Sequence, residues 1–298
     1  MYHPEPKALL FAIQAWLEQA QWLICVDNGH CDDALRNGMK AIAPERVHYV
    51  SAGRNLGIGA AINHGIEVAR KEGCSHVVLG DQDSIAQPEM INELLRVEKA
   101  ASAQGLNISA VGPRRVDMDS GRHSYFVRCG AVGFKRVRCK PPDNWVVADF
   151  LISSGSLIRM TVIDEVGRMD EGFFIDMVDT DWFLRANQSG RVAIGACDAW
   201  MTHQLGERTQ VIHFLRRRTV PFHQSIRYYY MIRNRLVLYR RLHAPLWWII
   251  SDLIQLAKIA FFFGIFPSDR LQNTRMMLQG FADGLRGVSG EHPTPPRA

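Results

Sequence analysis

The chain has 298 residues, of which 47% are apolar and 22% are charged. These values exclude a disordered chain, and the length suits one large domain or one domain with an appendage. Lys and Arg outnumber Asp and Glu by 35 to 30, a mild excess that suits an anionic ligand or an anionic membrane surface and gives no reason to expect nucleic acid.

Helices and strands alternate along the first 120 residues. Apolar periodicity predicts helices over 8–20, 55–72 and 88–103, and the runs WLICVDNG, RVHYVSAG, HVVLGDQD and ISAVGPRRVD predict strands. This alternation indicates an α/β fold with a mostly parallel sheet, in which ligands bind beyond the carboxyl ends of the strands. Asp27, Asp81 and Asp83 fall at such ends, so we expect three acids on one rim.

The pair Asp81 and Asp83 has two interpretations. Aspartate is common in turns, and a solvated turn explains both residues without a function. In an extended segment, however, side chains two residues apart point the same way, and hard cations such as Mg²⁺ bind one or two carboxylates together with substrate phosphates.

Four other segments carry candidate site residues, each with a structural alternative. Asp27 either accepts a hydrogen bond from a base or ribose, or closes an Asx-turn. The segment from Asn55 through Gly57 to Asn63 is either part of a ligand site or a tightly packed helix start. Asp179 and Asp181 offer a general base or helix capping. His203 is either structural or a metal ligand.

The chain changes character after residue 205. Residues 208–241 contain nine arginines, no acid and interleaved aromatic residues, and residues 246–266 are long enough to span a bilayer. Asp252, Gln255 and Lys258, beside Ser251, form a polar stripe at helical spacing, so we expect a helix in the membrane interface or packed on the domain rather than a span. The arginines either meet lipid phosphate or form a solvated face.

The cysteines and the first residues bear on the compartment. Six cysteines, at positions 25, 31, 74, 129, 139 and 197, form no C-x-x-C pair, and we expect reduced thiols in a cytosolic protein. The opening MYHPEPKALL lacks a basic stretch followed by an apolar core, so we expect no secretory signal.

Taken in order, these segments resemble the family-two glycosyltransferases, and among them most closely the bacterial rhamnosyltransferases. The matching stretches are VDNG, NLGIGAAINHGI, LGDQDS, FLISSGSLI, FFIDMVDTDWFLRA, THQLG, RYYYMIRNR and GFADGLRG. The DQDS and VDTDW forms point to rhamnosyl transfer. The resemblance implies a GT-A fold, a Rossmann-like mixed sheet that binds a nucleotide sugar, over residues 1–205. A C-terminal basic, aromatic and amphipathic helical region, expected to associate with a membrane, would follow over 206–298.

The resemblance also implies roles for individual residues. It makes Asp179 the catalytic base and Asp181 the second acid of that motif. Asp83 and His203 would hold Mg²⁺ or Mn²⁺. The donor nucleotide sugar would be bound by residues of the first three motifs, namely Asp27, Asn55, Gly57, Asn63, Asp81 and Gln82. The acceptor side would include Ser154, Gly155 and Trp182.

In one respect the chain departs from the family. Family members begin with an apolar strand that runs into Y-x-P, whereas this sequence starts at Met1-Tyr2-His3-Pro4. We therefore expect the first, central strand to be missing, which would leave backbone groups of its neighbours unpaired.

The expected function is an inverting transfer of L-rhamnose from dTDP-L-rhamnose to a lipid-linked saccharide acceptor, as in O-antigen (lipopolysaccharide) or exopolysaccharide assembly. The expected location is the cytoplasmic face of the membrane, with the protein bound peripherally. Two alternatives remain: a family member specific for another nucleotide sugar, such as a galactofuranosyl or glucosyl donor, and an N-terminally truncated non-catalytic relic.

Overall fold

The structure is a computed structural model that describes residues 1–29, 31–117, 121, 123–130, 133–140, 142–203, 209–214, 216–221, 224–241, 243–265 and 269–293. At residues 117, 203, 209–214, 216–221 and 265 the description is limited to the backbone. The chain carries the α/β fold that the sequence predicts, and the predicted helices and strands of the first 120 residues all form.

The amino-terminal half alternates helices with short strands. In chain order its elements are α1 (Pro6–Leu17), β1 (Leu23–Asp27), α2 (Asp33–Ile42), β2 (Val47–Ser51), α3 (Ile58–Lys71), β3 (His76–Val78), β4 (Ser84–Ala86), α4 (Met90–Ala103) and β5 (Ile108–Asp117). Helix α2 was not predicted. Few of its residues are strongly apolar, so periodicity did not indicate it. Asp32 caps the helix by accepting from the Leu35 N–H at 2.7 Å.

The second half contains the remaining strands and the C-terminal helices. These are β6 (Phe126–Cys129), β7 (Phe134–Val137), β8 (Trp145–Ala148), β9 (Leu157–Arg159), α5 (Met160–Val166), a 3₁₀ turn at Glu171–Phe173, α6 (Val178–Gln188), β10 (Val192–His203), β11 (Thr209–Phe214), β12 (Arg216–Pro221), α7 (Ser225–Tyr239), α8 (Leu246–Ile265) and α9 (Arg270–Arg286).

The central sheet is mixed. Strands pair in the order β3-β9-β5-β10-β4, with β8 also paired to β10. Only the β5–β10 pair is parallel among these described strands, and the β3–β9, β5–β9, β4–β10 and β8–β10 pairs are antiparallel. The expectation of a mostly parallel sheet is therefore wrong, because β9 and β10 of the second half insert between the earlier strands. Strand β9 runs antiparallel to β3 and β5, and β10 runs antiparallel to β4. The mixed sheet of the GT-A type is confirmed.

Strands β1 and β2 form a separate parallel pair. A cavity of about 1530 Å³ lies between this pair and the central sheet, and residues of β1 and β3 line it. Beside β1, the Met1 amino group donates to the Val26 carbonyl at 2.5 Å and the Asn28 N–H donates to the Met1 carbonyl at 2.8 Å. The absence of a central strand stays a prediction, and the cavity is what the structure shows between the two sheets.

Two arginines of the basic segment, residues 208–241, form ion pairs within the protein. Arg235 lies on α7 and pairs with Asp252 of α8 at 3.0 Å, and Tyr239 donates to the same carboxylate at 2.6 Å. Arg241 reaches Asp170. The interpretation of these described arginines as lipid-phosphate ligands or a solvated face is therefore wrong, because acids and carbonyls of the domain engage them.

Helix α8 is oriented with its polar side toward the protein. Ser251 and Asp252 are buried, which places the first part of the predicted polar stripe against the domain. The outward face is apolar instead: Leu246 is 71% exposed, Ile250 50% and Phe261 62%. By length and composition residues 246–264 meet the test for a membrane span, a test that the core helix of a soluble protein also passes.

Two cysteines are bonded to each other. Cys139 and Cys197 form a disulfide that joins residues 58 positions apart, whereas Cys25, Cys31, Cys74 and Cys129 are thiols. The expectation of six reduced thiols is wrong for this pair, because the fold brings together two segments whose proximity the sequence spacing did not indicate.

Candidate active site

The Asp81-Gln82-Asp83 loop connects β3 to β4 at the wall of the cavity. All three residues line it. The Ser154 hydroxyl accepts from the Asp81 N–H at 3.2 Å and lies 3.0 Å from the Ser84 hydroxyl. Buried Ser154 therefore supports the aspartate loop from below, and its assignment to the acceptor side is not supported by these contacts.

Gln82 is engaged by the amino-terminal segment. Its side-chain carbonyl accepts from the Tyr2 N–H at 2.7 Å, and its amide group donates to the Tyr2 carbonyl at 3.1 Å. Both ends of the carboxamide are thus occupied by backbone, which gives Gln82 a structural role in addition to its place on the cavity wall.

Asp27 closes the turn after β1. Its carboxylate accepts from the N–H groups of Gly29 and Cys31 at 3.0 and 3.2 Å and from the Tyr49 hydroxyl at 2.5 Å. Burial alone would raise the pKa of Asp27, but the hydrogen bonds from Tyr49 and the two backbone groups lower it below its ordinary value. Of the two interpretations, the Asx-turn is the one that the structure shows, and a donor contact through this side chain is not supported.

Asn55 and Gly57 form the loop that enters α3. The Asn55 side-chain oxygen accepts from the Asn28 amide at 2.9 Å and from the Gly57 N–H at 3.0 Å, and all three residues line the cavity. Gly57 has φ of 85°, and a Cβ there would lie 2.5 Å from the Phe174 carbonyl oxygen. A glycine is required because the loop before α6 approaches this closely.

Asn63 lies away from the cavity. It is buried, its amide donates to the Met169 carbonyl at 2.9 Å and to Glu171 at 2.8 Å, and its oxygen accepts from the Met169 N–H at 3.0 Å. These contacts do not support donor binding by the Asn63 side chain, which stays a prediction. It attaches α3 to the segment that follows α5, and every hydrogen-bonding atom of its side chain is used in doing so.

The acidic loop, residues 172–178, precedes α6 in a strained conformation. Phe174, Asp176 and Met177 have φ of 63°, 63° and 65°, a region that costs non-glycine residues on the order of 1–3 kcal/mol each. Arg227 of α7 pairs with Asp176 at 3.2 Å. Strain of this kind concentrates at functional sites, where the surrounding structure holds it in place.

Asp179 begins α6 beside the cavity. It is half-buried, and its carboxylate accepts from the backbone N–H groups of Thr180, at 2.8 Å, and Ser153. Ser153 lines the cavity, so Asp179 lies at its edge rather than on its wall. Burial raises the pKa of Asp179, the two backbone groups oppose this, and the Asp176 charge adds to it. A raised pKa brings a carboxylate closer to the range of an effective general base.

Asp181 is a structural acid. It is 0% exposed and accepts from Arg185 at 2.9 Å, Arg241 at 2.6 Å and His243 at 2.9 Å. Both carboxylate oxygens are engaged, and the acid joins α6 to the segment after α7. A catalytic role for Asp181 is not supported by this position.

Two residues assigned to the acceptor side are packing residues. Trp182 is fully buried and its indole donates to the Gly167 carbonyl at 2.9 Å. Gly155 has φ of 85°, donates to the Leu79 carbonyl at 2.7 Å, and has no space for a Cβ because Pro113 and Met201 lie within 2.7 Å of that position. Neither residue presents a group to a saccharide.

Arg115 is a basic residue close enough to the candidate site to interact with its acids, and sequence reasoning did not single it out. It lies near the end of β5, half-buried, and interacts electrostatically with both Asp81 and Asp179. Burial lowers the pKa of Arg115, and the two acids act in the opposite direction. The signal in the sequence was the arginine pair at the end of ISAVGPRRVD, which lies at the same end of the strands as the acids.

The described residues offer part of a metal site. Asp81 and Asp83 are hard oxygen ligands on the cavity wall, and one or two carboxylates together with substrate phosphates suffice for Mg²⁺. No group of three or more His, Cys, Asp or Glu residues within the described part of the chain could hold an ion by itself. The His203 backbone pairs with Ser84 at the end of β10, and its side chain lies outside the described residues.

One similar protein of known function covers nearly the whole chain. The chain is 28% identical over 290 residues to dTDP-rhamnosyl transferase RfbF of Shigella flexneri, with 97% of this chain and 94% of that protein covered.

Solved structures share the fold at low sequence identity. TarS 1-349 of S. aureus has a TM-score of 0.57 at 11% identity, with 96% of this chain and 79% of that chain covered. A structure of S. aureus TarS gives 0.55 at 14% identity, over 97% of this chain and 48% of that one. GalNAc-T7 with UDP, GalNAc and Mn²⁺ gives 0.53 at 12% identity, over 89% and 55%. This chain thus spans about half the length of the last two.

The family description "Glycosyl transferase family 2" matches residues 2–165. That range includes the aspartate loop and the Asn55 loop, which line the cavity. The chain is therefore a glycosyltransferase and belongs to glycosyl transferase family 2.

Proposed function

We propose that this enzyme transfers L-rhamnose from dTDP-L-rhamnose to a hydroxyl group of a lipid-linked polysaccharide intermediate, with inversion at the anomeric carbon. The proposed donor rests on the match to dTDP-rhamnosyl transferase RfbF over 97% of this chain and 94% of that protein. The match extends through the C-terminal helices, so it covers both the cavity and the segments that close it from the other side.

Breaking the glycosidic bond leaves negative charge on the departing diphosphate. Arg115 provides a fixed positive charge near Asp81 and Asp179, where it would attract that group. Asp83, with Asp81 beside it and His203 as the further predicted ligand, would hold Mg²⁺ or Mn²⁺. The ion, when bound, would act as a Lewis acid toward the phosphate oxygens.

The acceptor hydroxyl must lose its proton as it attacks the anomeric carbon. We assign this proton to the Asp179 carboxylate, whose pKa is raised by burial and which lies beside Ser153 at the cavity edge. A single base and one direct displacement, with the dTDP leaving on the opposite side, give inversion.

A donor panel tests the proposal. Purified enzyme with Mg²⁺ is incubated with dTDP-L-rhamnose, UDP-galactofuranose or UDP-glucose, and release of the free nucleoside diphosphate is measured. We expect turnover of dTDP-L-rhamnose alone. Turnover of a UDP-sugar with dTDP-L-rhamnose ignored would assign the enzyme to another donor, and turnover of none, with extracted lipid-linked acceptor present, would favour a non-catalytic protein.

The acceptor is proposed to be lipid-linked because the C-terminal helices expose an apolar face. Leu246, Ile250, Leu253, Ile254 and Phe261 of α8 are between 43% and 71% exposed, and Lys258 is exposed among them. Helix α9 packs against α8 and adds a second set of exposed apolar side chains, namely Leu271, Leu278, Phe281 and Leu285.

Exposed positive charges on α9 also favour a membrane surface. Arg270, Arg275 and Arg286 are exposed on α9 and flank its apolar face, as in helices that lie in the interface of anionic bilayers. A contiguous apolar surface of this kind on a soluble protein marks an interaction site. We therefore propose that the enzyme binds a membrane surface peripherally; the cytoplasmic face is proposed from the family resemblance.

Vesicle sedimentation tests the surface. We expect binding to vesicles of phosphatidylglycerol and phosphatidylcholine, and weaker binding for Phe261→Ser. Phe11→Ser is the matched control, because Phe11 of α1 is 59% exposed and Phe261 is 62% exposed. Equal loss of binding in both variants, or no binding by the unmodified enzyme, contradicts the membrane surface.

A further inference from the structure

Two fully buried polar side chains of α7, those of Arg233 and Asn234, reach across to the acidic loop, residues 172–178. We propose that Arg233 and Asn234 are positioning residues for sugar transfer, which hold this loop in the one conformation that places Asp179 at the edge of the cavity. The inference rests on the proposed role of Asp179 as the base.

Asn234 donates hydrogen bonds to carbonyl groups of the loop. Its side-chain amide nitrogen lies 2.9 Å from the Phe173 oxygen, 2.6 Å from the Ile175 oxygen and 2.9 Å from the Asp176 oxygen. A carboxamide has two N–H hydrogens, so three acceptors share two donors. Carbonyl oxygens can converge in this way only while a donor lies between them, because they otherwise repel one another.

Arg233 fixes the orientation of Asn234 and adds donors of its own. Its Nε donates to the Asn234 side-chain oxygen at 2.8 Å, so the amide nitrogen of Asn234 is turned toward the loop. Its terminal nitrogens donate to the Phe173 carbonyl at 2.9 Å and to the Gly290 carbonyl at 2.6 Å. Both side chains are 0% exposed, so water cannot replace these bonds without opening the structure.

The opposite side of the loop is held as well. There the Ile58 N–H at the start of α3 donates to the Phe174 carbonyl at 2.6 Å. On the α7 side the Phe174 ring also stacks on Tyr230, with centroids 5.2 Å apart. The loop therefore lies between α3 and α7, and its three positive φ angles are maintained by contacts on both sides. Removing the donors on one side frees the strained backbone to relax, and the first turn of α6 moves with it.

A substitution of the neighbouring Arg235 distinguishes an effect on the position of the loop from an effect on overall stability. It is also buried on α7, but its partner is Asp252 of α8 and not the acidic loop. Arg235→Gln leaves Asp252 without its cation, which weakens the packing of the C-terminal helices while leaving the loop contacts unchanged. It is the matched control for substitutions at Asn234.

The test compares Asn234→Asp with Arg235→Gln by two measurements. Asn234→Asp keeps the shape but presents an oxygen to the three carbonyl groups. In hydrogen–deuterium exchange without substrate, we expect faster exchange of the amides in 173–181 for Asn234→Asp and unchanged exchange there for Arg235→Gln. In transfer assays on folded protein, we expect kcat to fall on the order of 10- to 100-fold for Asn234→Asp with KM for the donor little changed, and kcat to be retained for Arg235→Gln.

If Asn234→Asp does not fold, Arg233→Lys provides the same comparison, because one ammonium group cannot reach Asn234, Phe173 and Gly290 together. Unchanged exchange in 173–181, or equal losses of kcat in the loop variant and the Arg235 control, overturns the inference. The exchange measurement needs no donor. A wrong donor assignment therefore leaves it readable, and a failed loop prediction leaves the donor panel unaffected.

Discussion

Asp179 and Asp181 are two residues apart on α6, and the structure predicts opposite consequences for their substitution by asparagine. Asp181 is buried among three basic side chains, whereas Asp179 is half-buried with no basic side chain among its hydrogen-bond donors in the described part of the chain. We expect Asp181→Asn to lower stability with limited effect on the chemical step, and Asp179→Asn to do the reverse.

The cost of Asp181→Asn follows from its contacts. Removing one member of a buried ion pair costs about 3–5 kcal/mol because the partners keep an uncompensated charge. Here the partners keep some bonds: Arg241 retains Asp170, and Arg185 retains the carbonyls of Val166 and Arg168. We therefore expect the lower end, about 3 kcal/mol. At about 2.1 cal/mol/K per residue over this chain, that lowers Tm by about 5 °C.

Asp179→Asn acts on a carboxyl whose folded-state pKa is raised. Such a group favours the fold below its unfolded pKa, and this contribution is lost as the pH rises through the folded value. Above its folded pKa the ionised Asp179 therefore opposes folding, and the neutral amide of Asp179→Asn removes this cost. We expect Tm unchanged or higher, with kcat lower by about 10²- to 10⁴-fold because the base is gone.

The assay is paired: thermal unfolding by circular dichroism, and initial rates of transfer below the unfolding range of both variants. If Asp181→Asn leaves Tm unchanged while removing activity, the structural assignment of Asp181 is refuted. If Asp179→Asn retains the unmodified rate, the base assignment is refuted, whatever its Tm.

Three further predictions concern pH, metal and the disulfide. The acid limb of the kcat/KM profile should have an apparent pKa above 3.8, the ordinary value for an aspartate, and a limb at or below that value would exclude Asp179 as the titrating base. Asp83→Ala should abolish the Mg²⁺-dependent part of dTDP-L-rhamnose binding measured by calorimetry, whereas unchanged Mg²⁺ dependence would place the ion elsewhere. Replacing Cys139 and Cys197 by serine should lower the free energy of unfolding by up to about 4 kcal/mol for a loop of 58 residues, and a urea midpoint equal to that of the oxidised enzyme would contradict this.

The local elements of the fold were within reach of the sequence. Helices α1, α3 and α4 and strands β1, β2, β3 and β5 follow from apolar periodicity and turn residues, which act over a few positions along the chain. The aspartate loop was predicted at a strand end and is found on the cavity wall. The ordered motifs also indicated the family, which the match to residues 2–165 confirms.

The partners of individual side chains could not be predicted from the sequence because they come from distant segments of the chain. Asp179 and Asp181 look alike as residues of one motif, and only the packing of the C-terminal segment supplies Arg241 and His243 to one of them. Asn63 was predicted to bind the donor from the family resemblance, but its side-chain amide donates to residues 169 and 171.

The same reason explains the C-terminal helices. Composition showed that α8 is apolar with a polar stripe, and this much the sequence determined by itself. Which side faces the domain depends on Arg235, a residue of another helix that pairs with Asp252. A buried carboxylate requires a partner in the interior, so the tertiary structure turned Ser251 and Asp252 inward, while Lys258 of the same stripe, with Leu246, Ile250 and Phe261, lies on the outside.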